Sequence, residues 1–591
     1  MSTATAVEHP PALTAMPKGA REFTLRAFVT SMVVAAIIGA SYPYIVLKLG
    51  FGPNISVVSA FFGYLLVVTI ARVKSFNRWE NNIVQSAGTA AGQTAFLCVL
   101  MGAFDLLRMD PSLHFTFELT PVQAFAWLTT AGLLGVLLSV PMRQHFVVEE
   151  QLTFADGVAA GETIIVLDSR GSGSRAATRS MGLGTLLSAV LMTVREDTRL
   201  LGNVWFRVPE LLRLGPTGTS MGVGVSWSLL NIGAGMLVGF RVNMSMLLGS
   251  ILAWVVAPPL LLQSHVVDEL VRRKVLLWVM WPATGMLISG GLTALVLRWP
   301  LLVKTFRNLS SAQINPSDFP MRLVLWGSLI CAVALTLVQH FILGMPVWMT
   351  IIAIVLSVPL MLVGIRVLGE TNWGPISALS NMMQAIFGVI APGHIMPNMV
   401  ASGVTGSVAS ESEGLIQSYK TGYMIGSTPK YLTWAQLAAV PIGAAAVAWT
   451  YPLLRNTYGI GGDNGLQSPI SQKWAGFARL LSAGLSALPP GAITALLIAV
   501  VLGVVFTVLE GTSIRRFTPS PTGIGIGMLV PASAVFSMAL GSIISVIWER
   551  SSRESAERNL TPLASGFIAG EAIVAVVIPI LVVLHLVRLQ P

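Results

Sequence analysis

Apolar runs of about 20 residues recur along the whole chain. The hydrocarbon core of a bilayer is about 30 Å thick, so about 20 apolar residues in one helix cross it. A crossing segment must satisfy its backbone hydrogen bonds within itself, which leaves helices and closed barrels. The runs fall at about 24–47, 54–71, 81–104, 121–142, 181–194, 219–240, 242–263, 275–297, 323–343, 346–368, 376–396, 433–454, 490–510, 522–548 and 563–587. They predict about 14–16 transmembrane helices, the shortest run being 181–194. Their residues do not alternate apolar and polar, which argues against a transmembrane β-barrel.

Charge supports this reading. Only 10% of the 591 residues are charged, against about 25% in an ordinary soluble protein. That excludes a soluble enzyme, and an apolar content of 54% excludes a disordered chain. The expected fold is an all-α polytopic integral membrane protein, with residues 24–591 as one transmembrane domain behind a polar tail, 1–23. No short apolar core with a cleavage site opens the chain, so no cleaved signal peptide is expected.

The net charge of +10 does not imply a nucleic-acid partner, because the basic residues are scattered through short loops. Arg72, Lys74 and Arg78 follow the second run, Arg170, Arg175 and Arg179 the fourth, and Arg298, Lys304, Arg307 and Arg322 the eighth. These loops share one side with the N-terminus, and an excess of basic residues marks the cytoplasmic side. The N-terminus is therefore expected in the cytoplasm. The loop with Arg195, Arg199, Arg207 and Arg213 points the other way.

Signatures of soluble catalysis are missing. The chain has no phosphate-binding Gly-x-x-x-x-Gly-Lys loop and no His-Glu-x-x-His motif. Cys98 and Cys331 lie inside apolar runs, so neither a disulfide framework nor a thiolate metal site is expected. No metal or cofactor is expected. His145, His340, His394 and His585 stand near the ends of runs and read as interfacial residues.

An ionisable residue inside an apolar run is costly in lipid and points to a cavity or a partner. Glu571 is the clearest, with no other charge from Arg558 to His585. Glu162 is similar but lies nearer a polar stretch, in an interfacial or re-entrant helix. The richest segment runs from Glu370 to Lys430, with a broken or re-entrant part near 376–423. Pro392, Gly393 and Pro397 interrupt it, and a small, hydroxyl-rich stretch from Asn398 to Glu413 follows. It is too polar to face lipid and too apolar for a solvated loop. Such broken segments are tolerated at membrane depth where they line a cavity or pack inside protein. Glu411, Glu413, Lys420 and Tyr423 belong to it, with Glu413 and Lys420 two turns apart on one face. Glu80, Asn82 and Gln85 open a comparable polar face on the third run. These ten residues, Asn398 included, form the expected substrate or proton pathway.

Two echoes suggest repeated halves, roughly 24–300 and 320–591. Ser245–Ile251 resembles Ser537–Ile543, and Asn82–Thr89 resembles Asn398–Thr405. A third, Gly157–Glu162 against Gly566–Glu571, breaks their order. Repeated halves are common in secondary transporters. The residues alone therefore read as a secondary transporter, with a membrane-embedded enzyme or ion pump as the competing class. Sparse Asp weighs against the latter.

The chain also resembles the oligopeptide transporter family, in particular its prokaryotic members near the yellow-stripe-like branch. The resemblance rests on Asn398–Pro429 with its Lys420-Thr-Gly-Tyr423 core, on Gly239–Gly249 with Trp254, on Gly523–Gly527 through Glu571, and on Tyr44–Ser56. It implies a carrier of about 16 spans in the bacterial cytoplasmic membrane, driven by protons. The implied substrates are short peptides or metal chelates, and a homo-oligomer is compatible. The chain departs from the family pattern in writing Ser410-Glu-Ser-Glu413 before the Lys-Thr-Gly-Tyr core, and in lacking the Asn-Pro-Gly stretch of the eukaryotic peptide branch.

Overall fold

The structure, a computed structural model, describes residues 21–49, 55–73, 75–110, 113, 115–168, 172–195, 211–213, 221, 223–270, 272–297, 319–371, 374–461, 465–483 and 489–583. Most of the N-terminal tail, Lys74, Arg170, Arg199, Arg207, Lys304, Arg307 and His585 lie outside the described residues, as does part of the Tyr44–Ser56 stretch.

The apolar runs fold into helices. The first half contains α1 (Leu25–Leu49), α2 (Ile55–Tyr64), α3 (Arg78–Phe96), α4 (Cys98–Arg108), α5 (Pro121–Ser139), α6 (Ala155–Asp168), α7 (Ser172–Arg195), α8 (Leu229–Val238), α9 (Phe240–Ile251), α10 (Ala257–Gln263) and α11 (Arg272–Leu297). Then come α12 (Met321–Leu343), α13 (Val347–Thr371), α14 (Ile376–Ile390), α15 (Ile395–Ile425), α16 (Pro429–Tyr458), α17 (Pro469–Ala483), α18 (Ala492–Glu510), α19 (Pro521–Leu529), α20 (Ala532–Ser551) and α21 (Arg553–Val583). A short antiparallel ribbon pairs Leu211–Arg213 with Gly224–Ser226.

Local sequence explains several helix ends. Asn77 and Glu80 form a capping box that starts α3, and Thr120 and Gln123 form another at α5. Gly344 and Gly426 end α12 and α15 in the left-handed conformation that glycine adopts without a Cβ penalty.

Among the described residues, nine helical runs are long and apolar enough to cross a membrane, and Ile55–Ile70, Leu229–Val238 and Ile376–Ile390 are shorter apolar helices. The run holding α3 and α4 is 89% buried, whereas α12 is 17% buried. The contrast separates an inner from an outer layer. Leu325, Trp326, Leu329, Ile330 and Val333 of α12 are exposed, the face such a helix turns to lipid. At the centre α15 packs on α3, α5, α6, α13 and α14. It has 31 residues, and most of them are buried.

The interruption expected within 376–423 lies at 391–394, between α14 and α15. The hydroxyl-rich stretch itself is one continuous helix. Other boundaries also shift. The 522–548 run is two helices parted at Val530-Pro531, because a proline cannot donate to the preceding turn. Among the described residues of the 219–240 run, Leu229–Val238 and the start of α9 are helical, and Gly224–Ser226 form a strand of the ribbon.

The paired helices α8–α9 and α19–α20 lie against each other in a repeating pattern. A Cβ on Gly235 would stand 1.9 Å from the Met538 carbonyl oxygen, and one on Gly527 2.0 Å from that of Met246. Likewise Gly249 meets the Ile524 oxygen at 2.1 Å, and Gly541 meets that of Ile232 at 2.1 Å. Such backbone-to-backbone approach is how small residues hold membrane helices together. Gly249→Ala should destabilise the protein by about 1–3 kcal/mol through overpacking. Gly182→Ala, where a Cβ meets nothing within 4 Å, should be neutral or slightly stabilising. Thermal unfolding in detergent separates the two; equal effects would refute the packing argument.

Candidate functional site

The stretch Asn398–Glu413 is rich in Gly, Ala and Ser, so neighbouring helices approach α15 closely. Gly132 and Gly135 of α5 make room on one side: a Cβ on Gly132 would lie 3.3 Å from Glu411 Oε1, and one on Gly135 3.0 Å from Glu411 Cβ. Glu411 is fully buried. Its Oε1 accepts a hydrogen bond from Thr94 Oγ1 at 2.6 Å, and its Oε2 has no partner. Two residues on, Glu413 points to the opposite side. Gly364 of α13 and Gly374 face it, and a Cβ on Gly374 would run into its carboxylate at 2.0 Å. Its Oε1 has no hydrogen-bond partner, and Asp156 on α6 is within electrostatic reach. Among the described residues no cation lies within ion-pair distance of either carboxyl.

Beside these carboxyls runs a neutral polar seam between α3, α15 and α16. Gln85 Nε2 donates to Thr89 Oγ1 at 3.0 Å and approaches Ser418 Oγ at 3.4 Å. Gln436 Nε2 donates to Ser418 Oγ at 3.1 Å, and Asn82 Nδ2 donates to Ser427 Oγ at 3.0 Å. Asn398 Nδ2 donates to the Gln384 carbonyl at 2.5 Å, near the 391–394 interruption. The seam brings Asn82 and Gln85 onto α15, as the polar face of the third run suggested.

The other expected residues sit elsewhere. Glu571 is buried and pairs with Lys48 Nζ at 2.8 Å. It also accepts from Ser228 Oγ at 2.9 Å and from the Leu230 amide at 3.2 Å, at the start of α8. A carboxylate is favourable at a helix N-terminus. Glu80 closes the α3 capping box and receives a two-pronged bond from Arg26, at 2.7 and 2.6 Å. That is a full structural role. Glu162 is exposed on α6. Lys420 and Tyr423 are partly buried at the far end of α15, and the former's Cβ lies close to Gly157 of α6.

Several ionisable residues were not singled out by sequence. Arg366 on α13 pairs with Glu150, and His145 lies 3.4 Å from the same carboxylate. His145 is buried. Lys473, 4% exposed on α17, falls between the apolar runs at 433–454 and 490–510. Arg366 and Lys48 had a signal, a charge at the end of an apolar run, but their partners are distant in sequence. At one end of the bundle Asp105 accepts from Tyr451 at 2.5 Å and from Arg108 at 2.9 Å. The adjoining Glu118, in the loop before α5, is held below the usual carboxylate range by its bond to Arg455 and then by Arg108.

An inner polar helix with two buried carboxyls, enclosed by helices apolar on their outer faces, is the build of a membrane transporter. Comparison with known proteins agrees. A family model described as "OPT oligopeptide transporter protein" matches residues 22–582. The chain belongs to this family, which is one of transporters and not of enzymes. It is 23% identical to "Putative oligopeptide transporter YGL114W" of Saccharomyces cerevisiae, over 94% of this chain and 95% of that one. It is equally 23% identical to "Metal-nicotianamine transporter YSL1" of Arabidopsis thaliana, over 94% and 90%.

Proposed function

We propose that this protein imports oligopeptides across a bacterial cytoplasmic membrane, coupled to protons, with its N-terminus in the cytoplasm. The observation that carries this reading is the pair Glu411 and Glu413. Buried carboxyls without a cation are expensive in a membrane and are the groups that carry protons in transporters. The neutral seam of Asn82, Gln85 and Gln436 supplies hydrogen-bonding groups suited to a polar solute. The contacts of α8–α9 with α19–α20 support two related halves: Gly235 and Gly527, like Met246 and Met538, are 292 residues apart and exchange roles. The echo of Ser245–Ile251 in Ser537–Ile543 has the same offset.

A second reading is uptake of chelated metal, favoured by the names of the plant relatives. Proteoliposomes with an imposed pH gradient test both. A radiolabelled tripeptide should accumulate only when the gradient points inward, and a protonophore should abolish the uptake. Accumulation of a metal chelate but no tripeptide would replace the first reading by the second. Tripeptide accumulation without a gradient requirement would remove the proton.

A further inference from the structure

The polar atoms left unpaired on α3, α15 and α16 are unbalanced in kind. On these three helices Asn81 Oδ1, Asn82 Oδ1, Gln85 Oε1, Asn398 Oδ1, Glu411 Oε2, Glu413 Oε1 and Gln436 Oε1 are buried and accept no hydrogen bond. The one buried donor without a partner is Arg78 Nε, in the first turn of α3. Every other orphan is an oxygen. A buried acceptor left unmet is costly, so a cluster of them is a strong demand for donors.

Three of these oxygens belong to one nest. Gln85 from α3 and Gln436 from α16 both turn their amide nitrogens onto Ser418 Oγ of α15, at 3.4 and 3.1 Å. Ser418 in turn donates to the Gly414 carbonyl at 2.9 Å, so its proton is committed. Gln85 has already spent its nitrogen on Thr89 as well. Asn82 is one turn from Gln85 and has its nitrogen on Ser427. Gln85 has both amide hydrogens engaged and Asn82 and Gln436 one each, while the carbonyl oxygens of all three remain to accept. All four side chains are fully buried.

We infer that this nest, Asn82, Gln85, Ser418 and Gln436, binds the protonated primary amino group of the transported solute. A primary ammonium carries three donors and no acceptor, the complement of three neutral oxygens. Its charge is balanced from the same helix face, because Glu411 precedes Ser418 by two turns, about 11 Å along α15. The inference rests on the transport reading only for the origin of the amine.

Ligand-induced thermal shifts of the full-length protein in detergent test it with three probes: methylammonium, trialanine and N-acetyl-trialanine. Methylammonium and trialanine should raise the melting temperature in a saturable way, and N-acetyl-trialanine should not. Gln436→Leu should weaken both responses at least about tenfold, the loss of one hydrogen bond to a charged group. Gln436→Glu, which keeps the size and adds a charge, should preserve or tighten methylammonium binding, showing that the leucine variant failed for chemical and not folding reasons. Equal shifts by the free and acetylated peptides would overturn the inference, as would a shift with sodium ions and none with methylammonium. The two readings can fail separately. If the tripeptide is not transported but methylammonium still binds through Gln436, the peptide reading falls and the nest stands. If the tripeptide is transported and methylammonium produces no shift, the nest falls and the carrier stands.

Discussion

Lys48→Met should destabilise the protein by about 3–5 kcal/mol, the cost of stranding one buried charge of a pair. The carboxylate it leaves behind is that of Glu571, which is 1% exposed. Ser228 and the Leu230 amide would still donate to it, but neither supplies a compensating charge. Glu571→Gln should cost less, because Lys48 keeps its contact with the Tyr44 hydroxyl at 3.0 Å and its side chain is 16% exposed. The double variant Lys48→Met, Glu571→Gln removes both charges and should recover much of the loss. Denaturant unfolding of the four proteins in detergent gives the coupling directly, expected within about 0.5–3 kcal/mol for residues in contact. Strict additivity would mean that the pair does not hold α1 to α21. Driven uptake measured on Glu571→Gln then separates the two uses of this residue: a structural lock leaves transport intact once the protein is folded, and a proton carrier does not.

The outer layer of this fold was legible and the inner layer was not, for one physical reason. A helix that meets lipid must be apolar, so α12 and α18 announce themselves by composition. A helix enclosed by other helices is freed from that demand. The 395–425 helix is filled with Ser, Thr, Gly and Glu and so reads as a broken segment, although it is continuous. Its place inside the protein showed in the sequence for the same reason its shape did not: polarity without solvent requires a protein environment. Local signals served well where the cause is local, as with the Asn77–Glu80 capping box, which also explains why Glu80 belongs to the structure of α3. Partners far apart in sequence stayed hidden. Glu571 stood out in its apolar run, but Lys48, 523 residues away, could not be assigned to it. The echo between Gly157–Glu162 and Gly566–Glu571 joins residues in unlike settings, one exposed and one buried. Small residues are common enough in membrane helices for such matches to arise without a shared role.

Glu413→Gln and Glu411→Gln should each reduce gradient-driven uptake by roughly 5- to 150-fold, the usual span of a coupling free energy between two ligands. Glutamine keeps the size of glutamate, and at position 411 it can still accept the bond from Thr94 Oγ1, so folding should survive. What it cannot do is gain or lose a proton. The loss should therefore be selective. Exchange of labelled for unlabelled solute across a membrane with no gradient needs binding and reorientation but no net proton movement, and it should persist in both variants. Glu162→Gln, an exposed position on α6, should leave both activities unchanged. The two carboxyls face opposite sides of one helix, so their effects need not be equal. If only one variant loses driven uptake while keeping exchange, the proton follows that side of α15, past α5 for Glu411 or past α13 for Glu413. If both variants lose exchange as well, the carboxyls hold the solute or the helix itself and the proton path lies elsewhere. If both retain driven uptake, buried carboxyls without a cation are structural in this chain, and the argument for proton coupling falls with them.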